Sequence, residues 1–364
     1  MLKRDANNRN SNIEWLRIIA ILLITFNHIY NKGVDKAVIL EESESVNAVI
    51  SVFFLMGGKF GCNLFLIISS WFIADKGVDW RAALKIWIQT VFYTIMLDIV
   101  SVVIFHAELT LKDILAIFSP LTFGTYWYST AYVIMLLLGP IVRKLFNKCG
   151  KYKTVILICG GLLLSIVPTM TLEGTVFRSN KYVSLIFKVL TYAPIWFLYV
   201  YLLIGQMKGN TNTRNNPNKS LLISIVLYIG MFIVTMVLFR GVGSGKIPGA
   251  WQFAAWRQMN SPICFLSAYY LFTAARDAKK KSNNWVNRIT GYVYGIYLFQ
   301  CHKTFQGFLW TKILVFEKFF HLSISAFVLY SIFGVCVIII LGFLCDSIYK
   351  QVYKTLQKTI PILQ

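Results

Sequence analysis

Charged residues are scarce in this chain of 364 residues: only 14% are Asp, Glu, Lys or Arg, whereas 57% are hydrophobic. Soluble globular domains carry a charge on about a quarter of their residues. The composition therefore excludes an ordinary soluble domain and predicts a membrane protein that crosses the bilayer several times.

Acidic residues are the rarest charged class, with 15 Asp and Glu against 36 Lys and Arg, which gives a formal net charge of +21. A positive charge of this size can indicate a nucleic-acid partner. Here the basic residues are spread between apolar runs and do not gather on one amphipathic face. We therefore expect no nucleic-acid partner, and we expect membrane topology to explain the charge.

Two other features are missing, namely paired cysteine spacings and a cleavable leader. The seven cysteines mostly fall inside apolar segments and are interpreted as small hydrophobic residues, which predicts neither a disulfide framework nor a metal site. The first apolar run is followed by polar residues and not by a small-residue cleavage site, so we expect it to remain as a helix. No internal repeat is visible.

Long apolar runs are abundant, and ten of them have the 17 to 25 or so residues needed to cross a bilayer. Polar segments with Gly, Pro and Asn separate them, as expected of loops. The predicted fold is an all-α integral membrane domain of about ten transmembrane helices. The runs lie at approximately 13–31, 48–74, 84–106, 123–142, 154–171, 185–207, 220–239, 256–275, 286–308 and 323–348.

The distribution of Lys and Arg predicts the orientation. With a cytoplasmic N-terminus, the inner segments hold 22 of these residues and the outer segments hold 11. Because cytoplasmic loops carry an excess of Lys and Arg, both termini are predicted to be cytoplasmic. The predicted organisation is a cytoplasmic segment at 1–12, a membrane domain of ten helices at 13–348 and a cytoplasmic tail at 349–364.

Polar residues inside the spans are the informative ones, because a charge at the centre of the bilayer is costly. Arg17 and His28 lie in the first span, eleven positions and roughly 16 Å apart along one helix. Arg17 can extend to the cytoplasmic face, where a simple positive-inside anchor is the alternative interpretation. His28, preceded by Asn27, lies deeper. It is either a packing residue bonded to a neighbouring helix or a proton-handling group in a polar cavity.

Asp98 lies at about the same depth in the third span as His28 does in the first. A carboxylate at that depth could orient the imidazole for general-base catalysis, so a pair of Asp98 with His28 is one hypothesis. A polar contact between helices is the other.

Ser69 and Ser70 lie towards the end of the second span, where small residues let another helix approach. Arg81 and Lys85, four positions apart on one helical face, could hold the phosphates of a soluble anionic donor, unless they only reflect the positive-inside bias.

Taken in order, these motifs resemble the membrane acyltransferase family 3. The family's first span carries Arg, ten residues and then His, as Arg17 and His28 do. LFLIISSWF matches the end of its second span with Ser69 at the family serine, YWYSTAYVIMLLLGP resembles its fourth span, and GIYLFQ resembles its ninth. In GIYLFQ, Gln300 replaces the usual histidine, and His302 follows two residues later.

The resemblance implies a multi-pass enzyme of the bacterial cell membrane that transfers an acyl group to a sugar hydroxyl. The donor would be cytoplasmic acetyl-CoA or another acyl-CoA, and the acceptor an envelope or capsular polysaccharide or a lipid-linked glycan, with no bound cofactor and no metal. His28 is expected to act as base or acyl relay, with Asp98 as its orienting carboxylate.

Arg17, Arg81 and Lys85 are expected near the CoA phosphates, with Asn27 and Ser69 as lining groups. Gln300 is expected at a structural or substrate-facing polar site. One alternative function is a transporter or flippase for a glycan-related substrate, which also needs polar cavities. Another is a membrane sensor or assembly partner without chemistry, which leaves His28 unexplained.

Overall fold

The computed structural model describes residues 9–122, 125–172, 181–210, 215–246 and 258–359, and within these ranges the protein consists of helices without a β-strand. The first eight helices are α1 (Ser11–Lys32), α2 (Lys36–Glu41), α3 (Val46–Ile73), α4 (Trp80–Phe105), α5 (Leu111–Phe118), α6 (Trp127–Asn147), α7 (Lys153–Gly161) and α8 (Lys181–Leu190). The others are α9 (Ala193–Asn210), α10 (Pro217–Gly243), α11 (Pro262–Asp277), α12 (Asn284–Ile289), α13 (Val293–Cys301), α14 (Lys303–Phe308), α15 (Glu317–Phe320) and α16 (Ile324–Thr359).

Seven helical segments in the described ranges are long and apolar enough to cross a membrane: α1, α3, α4, α6, Gly150–Thr169, α10 and α16. The remaining three predicted spans fall on shorter or interrupted helices: α8 with α9, the 16-residue α11, and α12 with α13 and α14. The expected all-α integral membrane fold is confirmed. The number of ten spans and the cytoplasmic position of both termini stay predictions.

The long helices begin where a loop ends in a side chain that can cap backbone N–H groups. Asn10 accepts a hydrogen bond from the backbone N–H of residue 12, Ser45 from that of residue 48, and Asp79 from that of residue 82. Each of these residues comes directly before a long apolar run. The first turns of α1, α3 and α4 are therefore fixed by local sequence, through side-chain oxygens that satisfy N–H groups left unpaired by the helix.

Helices α1 and α3 approach each other closely because glycines line the α3 side of their contact. A Cβ atom on Gly61 would lie 2.7 Å from the carbonyl oxygen of Ala20, and one on Gly58 would lie 2.3 Å from the side chain of Asn27. Small residues at such contacts allow backbones in membranes to pack tightly. This contact fixes the position of α1, the helix that holds His28.

The apolar core has two parts, and α1 contributes to both. Ile21 and Ile29 pack in the part formed with α13 and α16, whereas Leu16 and Ile24 pack in the part formed with α6, α9 and α11. Helix α1 therefore lies between the two halves of the bundle. Its polar residues face groups from both halves.

The predicted domain boundaries meet the helices in different ways. Residues 1–8 and 360–364 lie outside the described residues, and α1 begins at Ser11. The tail boundary predicted at residue 348 falls inside α16, which continues to Thr359. Below, the end of the bundle where α1 begins is called the Arg17 end, and the end where α1 finishes is called the His28 end.

Candidate active site

A chain of three side chains links α1 to α13 near the His28 end. The imidazole Nδ1 of His28 lies 3.0 Å from Oε1 of Gln300, whose side chain is fully buried. Gln300 Nε2 donates a hydrogen bond to Thr25 Oγ1 at 3.1 Å, and the Thr25 hydroxyl donates to the carbonyl oxygen of Ile21 at 2.8 Å. We call this chain of Thr25, Gln300 and His28 the His28 relay.

The His28 relay fixes which nitrogen of His28 carries the proton. A hydroxyl has one hydrogen, and that of Thr25 is used on the Ile21 carbonyl, so the Thr25 oxygen accepts. Gln300 must then present its amide NH₂ to Thr25 and its carbonyl oxygen to His28. Nδ1 of His28 consequently carries the hydrogen, and Nε2 keeps a free lone pair. The His28 side chain is only partly buried, so this lone pair can meet a reacting group.

Asp98 does not form the predicted pair with His28. Asp98 faces His302 instead, with 3.5 Å between Asp98 Oδ1 and His302 Nε2, and both side chains are buried. His302 Nδ1 accepts a hydrogen bond from the backbone N–H of Phe305 at the start of α14, which leaves Nε2 to donate towards the carboxylate. The physical reason is the rotation of α4 about its axis. Asp98 and His28 were predicted at equal depth in the membrane, but α4 packs against α14 and therefore directs Asp98 towards α14.

Tyrosines from α6 and α13 form a second polar group in the interior. The ring of Tyr297 lies 6.4 Å from that of Tyr126, 6.0 Å from that of Tyr128 and 6.1 Å from that of Tyr294, centroid to centroid. Tyr294 is also hydrogen-bonded to Ser129 at 2.9 Å. The tyrosines of the segment that begins α6 thus face the inside of the bundle.

Arg17 is held near the opposite end of α1. Its guanidinium forms an ion pair with Glu14 at 3.2 Å and lies over the ring of Phe72, 5.9 Å from the centroid. Ser69 is hydrogen-bonded to Tyr132, a residue within electrostatic range of Arg17. Arg17 and Ser69 thus lie in one region, and the tyrosines of α6 lie between this region and the His28 relay. Their roles at a donor site stay predictions.

A cationic group that the sequence did not single out lies beside Arg17, around the indole of Trp71. Lys208 lies 5.4 Å and Arg276 lies 4.9 Å from the Trp71 ring centroid, and Arg143 lies 3.6 Å from the carboxylate of Asp75. A hydrogen bond from Lys208, reinforced by the charge of Arg143, holds the pKa of Asp75 below its usual value. We call Arg143, Lys208 and Arg276 the Trp71 cluster. Such cations at a helix-bundle surface can bind phosphate groups.

Arg81 and Lys85 lie elsewhere on the same end. Both side chains are exposed; the Arg81 guanidinium lies 5.5 Å from the ring of Trp80, and the Lys85 ammonium lies 5.2 Å from the ring of Tyr353 on α16. The structure gives neither side chain a described contact with Arg17. Their expected place beside the donor phosphates stays a prediction.

Asn27 makes a structural contact, and its expected role as a lining group stays a prediction. Its Nδ2 donates a hydrogen bond to the carbonyl oxygen of Leu55 at 2.7 Å, and its side chain lies against Gly58. The amide therefore fastens α1 to α3 one residue before His28. In the described ranges, no three His, Cys, Asp or Glu side chains gather into a group that could hold a metal ion.

Comparison with protein families decides the class of this arrangement. The model of acyltransferase family 3, described as an acyltransferase domain, matches residues 10–345. The chain belongs to acyltransferase family 3. Among the curated proteins and the solved structures that were compared, none matches the chain. The protein is therefore a membrane acyltransferase, and its acyl donor and acceptor are treated below as proposals.

Gln300 stands where the acyltransferase family 3 motif usually has histidine, and it contacts His28 directly. A neutral amide can take this position because its carbonyl oxygen accepts the Nδ1 hydrogen. His302 does not replace the missing histidine, since its two ring nitrogens face Asp98 and the backbone of Phe305. The departure from the family motif thus preserves a hydrogen-bond partner for His28.

Several residues of this acyltransferase site were not predicted from the sequence. Thr25 gave one usable signal, because it lies three positions before His28 and hence near the same helix face. The Trp71 cluster gave none, since its three cations cannot be told from ordinary positive-inside residues in the sequence alone.

Proposed function

We propose that this acyltransferase moves an acetyl group from cytoplasmic acetyl-CoA to a sugar hydroxyl of a cell-envelope polysaccharide or lipid-linked glycan. The observation that carries the proposal is the His28 relay, which leaves Nε2 of a partly accessible imidazole as a base. An imidazole with its other nitrogen fixed by a hydrogen bond is the usual arrangement for general-base or nucleophilic catalysis of acyl transfer.

The donor side of the proposal rests on the charges at the Arg17 end. The positive-inside count predicts that this end faces the cytoplasm, where acyl-CoA is available. Arg17 lies over the ring of Phe72, and Lys208 and Arg276 of the Trp71 cluster lie over the ring of the preceding residue, Trp71. We infer that the phosphates of CoA bind here. The pantetheine arm would then extend along α1, past the tyrosines, for the roughly 16 Å between Arg17 and His28.

The chemical step follows from the tautomer of His28. Nε2 removes the proton from the sugar hydroxyl, and the sugar oxygen forms a bond to the thioester carbon. The carbon–sulfur bond breaks, and the departing CoA thiolate takes the proton back from the imidazolium. In the covalent variant of this scheme, Nε2 attacks the thioester carbon first, and the carbon–sulfur bond breaks to give an acylimidazolium and the CoA thiolate. The sugar oxygen then takes the acyl group from Nε2, and the hydroxyl proton passes to the thiolate. Both routes use the same lone pair.

The proposal is tested with His28→Ala and Arg17→Ala. Membranes that contain each variant are incubated with radiolabelled acetyl-CoA and envelope glycan, and protein level is checked by immunoblot. His28→Ala is expected to lower transfer by at least about 100-fold, the usual contribution of a general base. Arg17→Ala is expected to abolish transfer, because the donor phosphates lose a principal cation.

His321→Ala serves as the matched control, because His321 is exposed and pairs with Glu42 at the surface. Transfer by this variant should equal that of the unmodified protein. Full activity of His28→Ala or Arg17→Ala would overturn the assignment of these residues. Movement of glycan across the membrane without covalent label would overturn the transferase proposal and favour a flippase.

A further inference from the structure

A cavity near the His28 end has no part in the scheme above. It lies among the starts of α6, α9 and α11 and the middle of α3, and its volume is about 400 Å³. Ligand sites in proteins usually enclose about 300 to 1,000 Å³, so this space can take a group of one or a few sugar residues. Its lining includes Lys59, Trp127, Tyr192, Trp196, Gln258 and Asn260.

Lys59 is the unusual member of this lining. It lies near the middle of α3, a helix otherwise composed of apolar and small polar residues, and its side chain is partly buried. Its ammonium lies 4.6 Å from the centroid of the Trp127 ring. No Asp or Glu of the described ranges lies within ion-pair distance of it. A cation kept inside a membrane span without a described carboxylate partner marks a functional site, because its burial is costly.

The rest of the lining suits a carbohydrate. Trp127 and Trp196 present indole rings, on which the apolar faces of sugar rings can pack. Asn260 and Thr130 add side-chain oxygens that can accept hydrogen bonds, since Asn260 Nδ2 donates to the carbonyl oxygen of Leu164 and the Thr130 hydroxyl donates to that of Leu121. The wall is rigid because Trp196 Nε1 lies 3.4 Å from Asn63 Oδ1, and Asn63 Nδ2 donates to the carbonyl oxygen of Met259. A few fixed polar groups among aromatic rings are typical of sites for small polar ligands.

The cavity also lies towards the proposed reaction centre. Gly58, the residue before Lys59 on α3, packs against Asn27, the residue before His28 on α1, so Lys59 and His28 lie at the same level of two facing helices. Trp127 is followed by Tyr128, whose ring lies 6.0 Å from that of Tyr297 in the tyrosine group beside the His28 relay. A sugar in this cavity would therefore lie at the level of the imidazole that is proposed to remove its proton.

We propose that this cavity is the acceptor site and that Lys59 selects a glycan whose sugars carry a negative group, either a carboxylate or a phosphodiester. The inference deepens the proposed function and rests on it for the reaction, although the binding of the glycan does not depend on transfer. The cation of Lys59 would pair with the anionic group while the sugar ring packs on the indole surfaces. A neutral glycan would lose that ion pair.

The experiment measures binding first and transfer second, with the full-length protein in detergent or nanodiscs. The probes are a trimer of galacturonic acid, its carboxyl-reduced neutral trimer, and a sugar oligomer linked by phosphodiesters. Binding is followed by calorimetry without any acyl donor, at low and at high salt. Transfer is then followed with radiolabelled acetyl-CoA. The variants are Lys59→Met, Lys59→Arg and, as matched control, Lys318→Met, an exposed lysine on α15.

The native protein should bind at least one anionic probe about tenfold or more tightly than the neutral trimer, and high salt should reduce the difference. Lys59→Met should remove this preference and raise the KM for that probe, whereas Lys59→Arg should retain it and Lys318→Met should not change it. The probe that loses binding in Lys59→Met identifies carboxylate or phosphodiester as the group recognised.

Three results would overturn the inference: equal binding of neutral and anionic probes, equal loss for all probes in Lys59→Met, or an unchanged preference in that variant. An equal fall in kcat for all acceptors would assign Lys59 to the reaction itself instead of acceptor choice. Anionic binding that depends on Lys59 without any acyl transfer would refute the proposed function and leave the acceptor site intact.

Discussion

Replacement of Thr25 by Val tests the central claim that the His28 relay fixes the tautomer of His28. Valine has nearly the shape of threonine but lacks the hydroxyl, so the packing of this fully buried position is kept while the acceptor for Gln300 Nε2 is lost. The Gln300 amide then has no partner that holds its carbonyl oxygen towards His28. Thr25→Ser is the matched control, because it keeps the hydroxyl and loses only a methyl group.

The expected magnitude follows from one hydrogen bond. In the native protein, a flipped Gln300 amide would lose its bond to Thr25, which costs about 1.4 kcal/mol for a buried neutral bond. That preference corresponds to about tenfold in population. Without the hydroxyl the preference disappears, and a flipped amide donates to Nδ1 and forces the hydrogen of His28 onto Nε2. The two orientations then become about equally populated, so the competent fraction falls from about ten in eleven to about one half. We therefore expect kcat to fall by about twofold, with the KM for acyl-CoA unchanged.

Two measurements check this expectation. Initial rates of acyl transfer give kcat and KM for the native protein, Thr25→Val and Thr25→Ser. Nitrogen-15 NMR of histidine-labelled protein reports the tautomer directly, and the chain has only four histidines to assign. Thr25→Ser should keep both the rate and the native tautomer. An unchanged kcat in Thr25→Val, or an equal fall in both variants, would refute the reasoning.

Two further predictions concern packing and pH. Gly61→Ala should lower the unfolding temperature and reduce the free energy of unfolding by about 1 to 3 kcal/mol, because the new Cβ meets the backbone of α1. Gly230→Ala is the control and should not lower it, because the space around Gly230 is open. Thermal unfolding in detergent checks both, and equal transitions would contradict the prediction. The pKa of Asp113 is lowered, first by Thr110 and further by Lys303 on α14. This contact should stabilise α5 above about pH 4 and be lost as the pH falls through the lowered value, which faster hydrogen exchange of 111–118 would show.

Apolar length was sufficient to predict most of the fold. The runs predicted from 13, 48 and 84 became α1, α3 and α4, and these helices begin a few residues earlier, directly after the capping residues Asn10, Ser45 and Asp79. The all-α membrane class and the family were also predictable. Gly58 and Gly61 could not be ranked above other glycines of the chain, since their importance depends on the helix that faces them.

The partners of the site could not be predicted, because hydropathy gives depth and not rotation about a helix axis. Asp98 and His28 were matched in depth, yet α4 turns Asp98 towards His302. Gln300 lies 272 positions from His28, and only packing of α13 against α1 brings them together. The family motif gave position 300 importance, but it did not show that the residue there would bind the imidazole.

The neutrality of the His28 relay bears on which of the two chemical routes is used. Gln300 orients Nδ1 but has no basic group that could remove its hydrogen. If Nε2 received the acyl group, the ring would become an acylimidazolium with a full positive charge and no counter-charge within the relay, since Asp98 faces His302. In direct transfer the ring is charged only until the CoA thiolate takes the proton back. A charge inside a membrane bundle is costly while it persists, so a relay built from neutral groups favours direct transfer from thioester to sugar over a stable acyl-histidine.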